Sequence, residues 1–256
     1  MKLSVVIPVL NERGSIPATI AALRACHGIS EIIVSDGGST DGTVPWLQDQ
    51  PDIVLVRSIR GKGPQINVGA AAAFDVPDAA GISTTAATAS ALAPPDITLL
   101  ILHADCVISQ LAIDALQAAL ADPQLAGGAF YVRFAESHPR SLRLVAWGIN
   151  VRARFRNSAT GDQGIFVRKS VFDSIGGAPE WPLFEDVELV RRIKQAGKFR
   201  VLRTPVTVSG RRYIEHGVFR TALLIYSLRL AYWLGVPPQR LKNWFRDARG
   251  KQKSGT

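Results

Sequence analysis

Sulfur is scarce in this 256-residue chain, which has two cysteines, Cys26 and Cys106, and a single methionine. Two thiols are too few for a disulfide framework, and no Cys/His pair stands at zinc-ligand spacing, so neither a stapled fold nor a structural zinc site is expected. No G-x-G-x-x-G and no G-x-x-x-x-G-K-[ST] follows the first apolar run, which removes the dinucleotide fingerprint and the P-loop. Long apolar runs are missing as well. The best candidate, residues 218–234, is interrupted by Arg220 and Arg229, leaving an uncharged run of eight residues, 221–228. A spanning helix needs about 20 predominantly apolar residues. The apolar stretch of Met1–Pro8 is short, has no small-residue cleavage site and runs into Asn11-Glu12-Arg13, so it reads as a strand rather than a signal peptide. A reduced, cytoplasmic setting is the resulting expectation. At 47% hydrophobic and 20% charged residues, the chain has the means to bury a core, and a wholly disordered chain is excluded.

Charge is unevenly placed within the net +9. Residues 1–186 carry 14 Lys and Arg against 18 Asp and Glu, whereas residues 187–256 carry 16 against 3. The whole basic excess therefore lies in the last quarter. Such asymmetry fits an anionic partner at that end, whether phospholipid, nucleic acid or a phosphorylated substrate, or else a solvated helix face.

Short apolar runs bounded by polar residues predict buried strands at Leu3–Val9, Glu31–Ser35, Ile53–Val56 and Ile97–Leu102, with further strands at Gly128–Phe134 and Gly164–Val167. Helical spacing fills the gaps: after Ser15, a plausible N-cap; after Thr43; over Gln65–Phe74; over Ser109–Ala121; and over Asp186–Ala196, closed by Gly197. Strand and helix alternate, which predicts an α/β fold with an open, mostly parallel, Rossmann-like sheet and helices on both faces. Residues 75–96, rich in Ala, Ser, Thr and Pro, read as a flexible insertion. The expected division is a domain over 1–210 and a basic, amphipathic helical region over 211–256.

In an open α/β sheet, ligands bind beyond the carboxyl ends of the strands. The polar residues there are Asn11 and Glu12 after the first run, Asp36-Gly37-Gly38 after the second, and His103-Ala104-Asp105 after the fourth. Asp36 is suited to accept hydrogen bonds from a base or ribose, and Gly37 and Gly38 let the backbone turn tightly against a ligand. Lys62, in Arg60-Gly61-Lys62-Gly63, brings a cation to a loop after the third strand. A plain turn explains that segment almost as well.

Val5-Val6-Ile7-Pro8-Val9-Leu10-Asn11-Glu12 followed by Ile33-Val34-Ser35-Asp36-Gly37-Gly38-Ser39-Thr40-Asp41-Gly42-Thr43 resembles the opening of family 2 glycosyltransferases. The segments Gly63–Gly69, Leu102–Asp105 and Phe184-Glu185-Asp186 agree with that family in order and spacing. The resemblance covers residues 3–210, and its His-Ala-Asp form is similar to a small bacterial subgroup. It implies a GT-A fold and a nucleotide-diphosphate sugar donor, with UDP the first expectation. By the resemblance, Pro8, Asn11, Glu12, Asp36 and Gly38 border the nucleotide, with Lys62, His103 and Ala104 near it or its phosphates. Asp105 matches the last carboxylate of the family's Asp-x-Asp motif and would hold a divalent metal. His103 replaces the first carboxylate. Mg²⁺ prefers oxygen donors, and Mn²⁺ tolerates imidazole better. His216 is an extra candidate ligand. Asp186 matches the general base, with Glu185 its competitor; adjacent positions at a helix start point apart, so one of the two is expected to face the crevice. Asp162 and Gln163, in Gly161-Asp162-Gln163-Gly164, are candidates for acceptor or donor-sugar hydroxyls, and Trp181 for stacking on a sugar ring.

The expected reaction is a single inverting displacement, metal-assisted, onto an acceptor hydroxyl. The lost first carboxylate keeps a second reading open: a catalytically silent nucleotide-sugar-binding or membrane-associated scaffold protein. The C-terminal stretch, apolar and edged by Arg, Tyr and Trp, suits either the inner face of the cell membrane, where a lipid-linked acceptor would be met, or packing on the catalytic domain or a homodimer partner. No nucleic-acid motif is present, and no nucleic-acid partner is expected.

Overall fold

The structure, a computed structural model, describes residues 1–74, 97–135 and 137–250. The insertion expected at 75–96 lies outside these residues. The first half alternates as the apolar runs predict: β1 (Lys2–Val9), α1 (Ile16–Arg24), β2 (Glu31–Asp36), α2 (Thr43–Gln48), β3 (Ile53–Arg57), α3 (Lys62–Ala71) and β4 (Ile97–Ile101). Then come β5 (Cys106–Val107), α4 (Gln110–Leu120), β6 (Leu125–Phe134), α5 (Ser141–Arg156), a 3-10 turn (Gly161–Gln163), β7 (Ile165–Arg168) and α6 (Lys169–Ser174). The chain continues through α7 (Glu185–Ala196), β8 (Lys198–Val208), α8 (Arg211–His216), α9 (Val218–Trp233) and α10 (Pro238–Gly250).

Among the described residues, eight strands join one sheet in the order β3-β2-β1-β4-β7-β6-β8-β5. Parallel pairing links β3, β2, β1 and β4, and again β6 with β8. β7 is inserted antiparallel between β4 and β6, and the short β5 closes the far edge antiparallel to β8. The continuous apolar runs follow from this: β1 is fully buried from Leu3 to Val9 because helices cover both faces. One core cluster gathers Leu3, Val5, Ile7, Ile16, Leu100, Leu116 and Phe130; the other, on the opposite face, gathers Val6, Ile33, Ile66, Leu99, Val167 and Leu189. Alternate residues of β1 thus feed opposite cores.

β8 and α5 are among the elements that escape the apolar periodicity. β8 reads as charged because Lys198, Arg200 and Arg203 alternate with its buried residues, and its Pro205 sits at a register shift against β6, where a missing N–H is tolerated. α5 is long but exposes Leu144, Trp147 and Phe155, which blurs its helical stripe. Ser15 does hold the N-cap position of α1, yet its side chain makes no capping bond. Instead the N–H groups of Ser15 and Ile16 both donate to the Glu12 carbonyl at 2.9 Å. Gly128 is needed for close strand approach, since a Cβ there would run into the Arg200 carbonyl oxygen.

Candidate active site

The site begins at the carboxyl ends of β1 and β2, where two loops are laced together. Asn11, with φ of 57°, donates its N–H to Ser39 Oγ at 2.9 Å and accepts from Thr40 N–H at 2.8 Å through Oδ1. Glu12 N–H donates to Thr43 Oγ1 at 3.0 Å, and Arg13 N–H to Asp41 Oδ2 at 3.0 Å. The Thr43 hydroxyl bond and these backbone donors hold the Asp41 carboxyl below its ordinary pKa. Asp36, at the end of β2, is buried, and its carboxylate accepts from Gly38 N–H at 2.9 Å and Ser39 N–H at 3.1 Å. Gly38 takes φ of 95°, a left-handed conformation that costs glycine nothing. Beneath, the Gln65 amide of α3 donates to the carbonyls of Val9 and Ser35 at 2.6 and 2.8 Å, pinning both strand ends.

Beside this platform opens a cavity of about 430 Å³. Its walls bring together Pro8, Glu12, Lys62, His103, Ala104 and Asp105 from the strand ends. Opposite them in the sequence, Asp162, Glu185, Asp186 and His216 line the same space. The remaining sequence candidates lie elsewhere. Asn11, Asp36 and Gly38 belong to the platform. Gln163 is fully buried under the 3-10 turn, where its amide donates to the Phe130 carbonyl at 2.9 Å. Trp181 packs edge-on against Tyr232, ring centroids 6.4 Å apart, and is not part of the cavity lining.

Within the cavity, Lys62 Nζ stands 3.2 Å from His103 Nε2. His103, Asp105 and Cys106 present an imidazole nitrogen, a carboxylate oxygen and a sulfur within 4.8 Å of one another. Cys106 is wholly buried, and burial, reinforced by the charges of Asp105 and Asp162, pushes its thiol well above the ordinary range. It is not part of the cavity lining, which leaves His103 and Asp105 as the members of the cluster that face the cavity. The donors left for a divalent ion are one carboxylate and one imidazole, a set that suits Mn²⁺ better than Mg²⁺.

The two carboxylates at the start of α7 depart from the expectation that only one would face the crevice: both line it. Phe184, at the N-cap with φ of 64°, turns the chain sharply enough to present both. Their surroundings differ. Asp186 Oδ2 accepts the Gly161 N–H at 2.7 Å, and Oδ1 accepts the Val187 N–H at 2.7 Å. Glu185 is 7% exposed, and burial, aided by the adjacent Asp186 charge and opposed by Lys62, raises its carboxyl to about 7. The absent side chain of Gly161 is what admits this packing: a Cβ there would lie 2.6 Å from His103 Nε2 and 3.4 Å from Asp186 Oδ2.

Several wall residues carry no motif and were not legible as site residues. Arg152 of α5, Thr160, Tyr213 of α8 and Arg229 of α9 all line the cavity. The one signal available was Arg229, a lone charge amid apolar residues in the run 221–234.

Residues 4–75 match the sequence profile of glycosyl transferase family 2. No curated protein sequence matches the chain. Among solved structures, TarS 1–349 from S. aureus superposes with a TM-score of 0.57 at 15% identity, covering 82% of this chain and 61% of that one. Its complex with UDP gives 0.57 at 17% identity, with coverage of 84% and 63%. The mannosyltransferase PcManGT from Pyrobaculum calidifontis, in complex with GDP-Man and Mn²⁺, gives 0.62 at 18% identity, covering 94% of this chain and 67% of that one. The chain has the GT-A fold, and over residues 4–75 it is similar to glycosyl transferase family 2. The chain spans about six-tenths of the TarS 1–349 chain. In this GT-A fold the laced β1 and β2 loops, Asp105 and the α7 carboxylates come to one end of the sheet, while α8 and α9 supply the facing wall.

Proposed function

We propose that the chain transfers a sugar from a nucleotide-diphosphate sugar, UDP-linked in the first instance, to an acceptor hydroxyl with inversion of configuration. The observation that carries this is the meeting of Asp105, Lys62 and Asp186 in a single cavity beyond the carboxyl ends of the parallel strands. Asp105, with His103 beside it, would hold the divalent ion; bound there, such an ion neutralises charge on the departing diphosphate. Lys62 adds a fixed positive charge to the same end of the cavity. Asp186 takes the proton from the attacking hydroxyl. Each of its oxygens already accepts one backbone N–H, which fixes the carboxylate's orientation, and each retains a lone pair for the substrate. Glu185, neutral below pH of about 7, spares Asp186 a second adjacent charge. Pro8, Asn11, Glu12, Asp36 and Gly38 frame the nucleoside. Asp162 meets sugar or acceptor hydroxyls, with Gln163 holding the turn that carries it.

A thermal-shift screen of UDP- and GDP-sugars, with and without Mn²⁺, tests the reading, because a ligand that binds only the folded state raises Tm. The expected result is a Mn²⁺-dependent rise with one nucleotide class and release of free nucleotide on incubation. Binding without release under any metal would favour the silent nucleotide-sugar-binding alternative, and no binding at all would sink both.

We further propose that the C-terminal helices rest on an anionic membrane surface from which a lipid-linked acceptor is reached. In support, α9 exposes Phe219, Leu223, Leu230, Trp233 and Leu234, with Arg220 and Arg240 exposed alongside. Among the described residues no helix is long and apolar enough to cross a membrane. Co-sedimentation with vesicles containing anionic lipid, lost at high salt and weakened by Leu223→Ser with Leu230→Ser, is the expected outcome. Concentration-dependent dimerisation without vesicle binding would assign this face to a second copy instead.

A further inference from the structure

Arg229 occupies a position where an apolar residue would pack. It lies between Leu228 and Leu230 on α9, is 8% exposed, and lines the cavity. Among the described residues its guanidinium has no hydrogen bond and no ion pair. Arg152 of α5 lines the same cavity and donates to Thr160 Oγ1 at 3.3 Å and Gln163 Oε1 at 3.0 Å, while its buried Nε has no acceptor. Burial, with the neighbouring Arg152 charge, brings Arg229 down to about 10, against the weaker pull of Asp186 and Asp162. Burial lowers Arg152 as well. Two mostly buried guanidiniums acting on each other without a carboxylate in contact are costly to the folded chain, and Arg is the side chain best shaped to grip a carboxylate or phosphate through paired N–H bonds.

We propose that Arg152 and Arg229 form an anion subsite for a carboxylate or phosphate carried by the acceptor. The assignment to the acceptor rests on the transferase reading above. The donor's diphosphate has its own cation group, Lys62 standing by His103 and Asp105. Arg152, by contrast, is tied to Thr160 and Gln163, which flank the turn holding Asp162, and both arginines feel the charges of Asp162 and Asp186. A hydroxyl delivered to Asp186 would thus arrive on a molecule whose negative group is anchored by the arginine pair, which also offsets repulsion from the two aspartates.

Thermal shift at constant ionic strength, with sulfate and acetate as tetrahedral and planar probes, reads this site directly. Sulfate or acetate is expected to raise the Tm of the wild-type chain, and to do so equally when UDP and Mn²⁺ are saturating. Arg229→Met should raise Tm in the absence of probe, because an unpaired buried charge is removed, and should weaken the probe by about tenfold or more while leaving UDP affinity within about threefold. Arg229→Lys, which keeps the charge but not the fork, should bind the probe with intermediate affinity and serves where the Met variant folds poorly. The proposal is overturned if UDP abolishes the anion response, if Arg229→Met weakens UDP by more than about tenfold, or if no anion response exists; a response to adventitious ions alone would appear as one untouched by either Arg229 variant. Comparing UDP-glucuronate with UDP-glucose separates the sources: a selective loss of UDP-glucuronate in Arg229→Met would move the anion to the donor sugar and overturn the acceptor assignment. Failure of every UDP and GDP ligand to bind would instead fault the transferase reading, with the sulfate response still reporting on the arginine pair.

Discussion

Replacing Asp186 by Asn is expected to lower turnover by about 10²–10⁴-fold, the range associated with loss of a positioned general base, while donor affinity changes little. The amide is isosteric and can still accept the Gly161 N–H at its oxygen, so the helix start should survive; what disappears is the ability to take a proton. Glu185→Gln provides the contrast. With its carboxyl raised to about 7, Glu185 is neutral in the folded chain over a pH range where it is already ionised in the unfolded chain. Wild-type stability is therefore lost as pH climbs from the unfolded value, near 4.5, to about 7, and that loss persists above it. Glu185→Gln should escape it: equal Tm below pH of about 4, higher Tm than wild type at pH 8, and an activity profile without the wild-type inflection near 7. Turnover of Glu185→Gln at pH 8 collapsing as far as that of Asp186→Asn would transfer the base role to Glu185, and an active Asp186→Asn would remove it from Asp186.

Asp105→Ala is expected to abolish the Mn²⁺-dependent part of the donor thermal shift and to cut turnover by about 10²–10³-fold, as loss of a group stabilising developing charge does. The carboxylate is the only hard oxygen donor in the His103, Asp105 and Cys106 cluster. Cys106→Ala is the matched control. Its thiol is buried and lies outside the cavity lining, so the Mn²⁺ response should remain, with at most a packing loss in Tm. His103→Ala should shift metal preference from Mn²⁺ toward Mg²⁺, because imidazole is the donor that favours the former. A Mn²⁺ response that survives in Asp105→Ala would show that the ion is held elsewhere.

How far the sequence foretold this arrangement depends on which physical signal each part leaves. β1, β2 and β4 were legible to within a residue or two because strands buried on both faces must be continuous apolar runs, and the half-buried edge strand β3 by its short apolar run. Asp105, Lys62, Glu185 and Asp186 were legible because each follows such a run or opens a helix inside a recognisable segment. Asp36 was read as a carboxylate bordering the nucleotide; that its oxygens also accept Gly38 and Ser39 N–H groups is a local arrangement that composition and position do not reveal. Trp181 was read as a candidate for stacking on a sugar ring; its edge contact with Tyr232, 51 residues away in sequence, is one that only the tertiary fold brings about. β8 hid behind its alternating cations, and α5 behind its exposed aromatics. Arg152 and Arg229 illustrate the general limit: a side chain on a long helix has no local mark of the cavity it enters, which is formed by packing between distant segments.

The lacing of the first two loops bears on how the molecule comes apart. Its bonds join residues 28 to 31 positions apart and run from backbone amides to side chains across two neighbouring strands. None of them outlasts separation of β1 from β2, and those strands are the innermost of the parallel half. That corner therefore cannot survive parting of the central sheet. A molecule lodged there would add its binding energy to the stability of the folded chain as a whole.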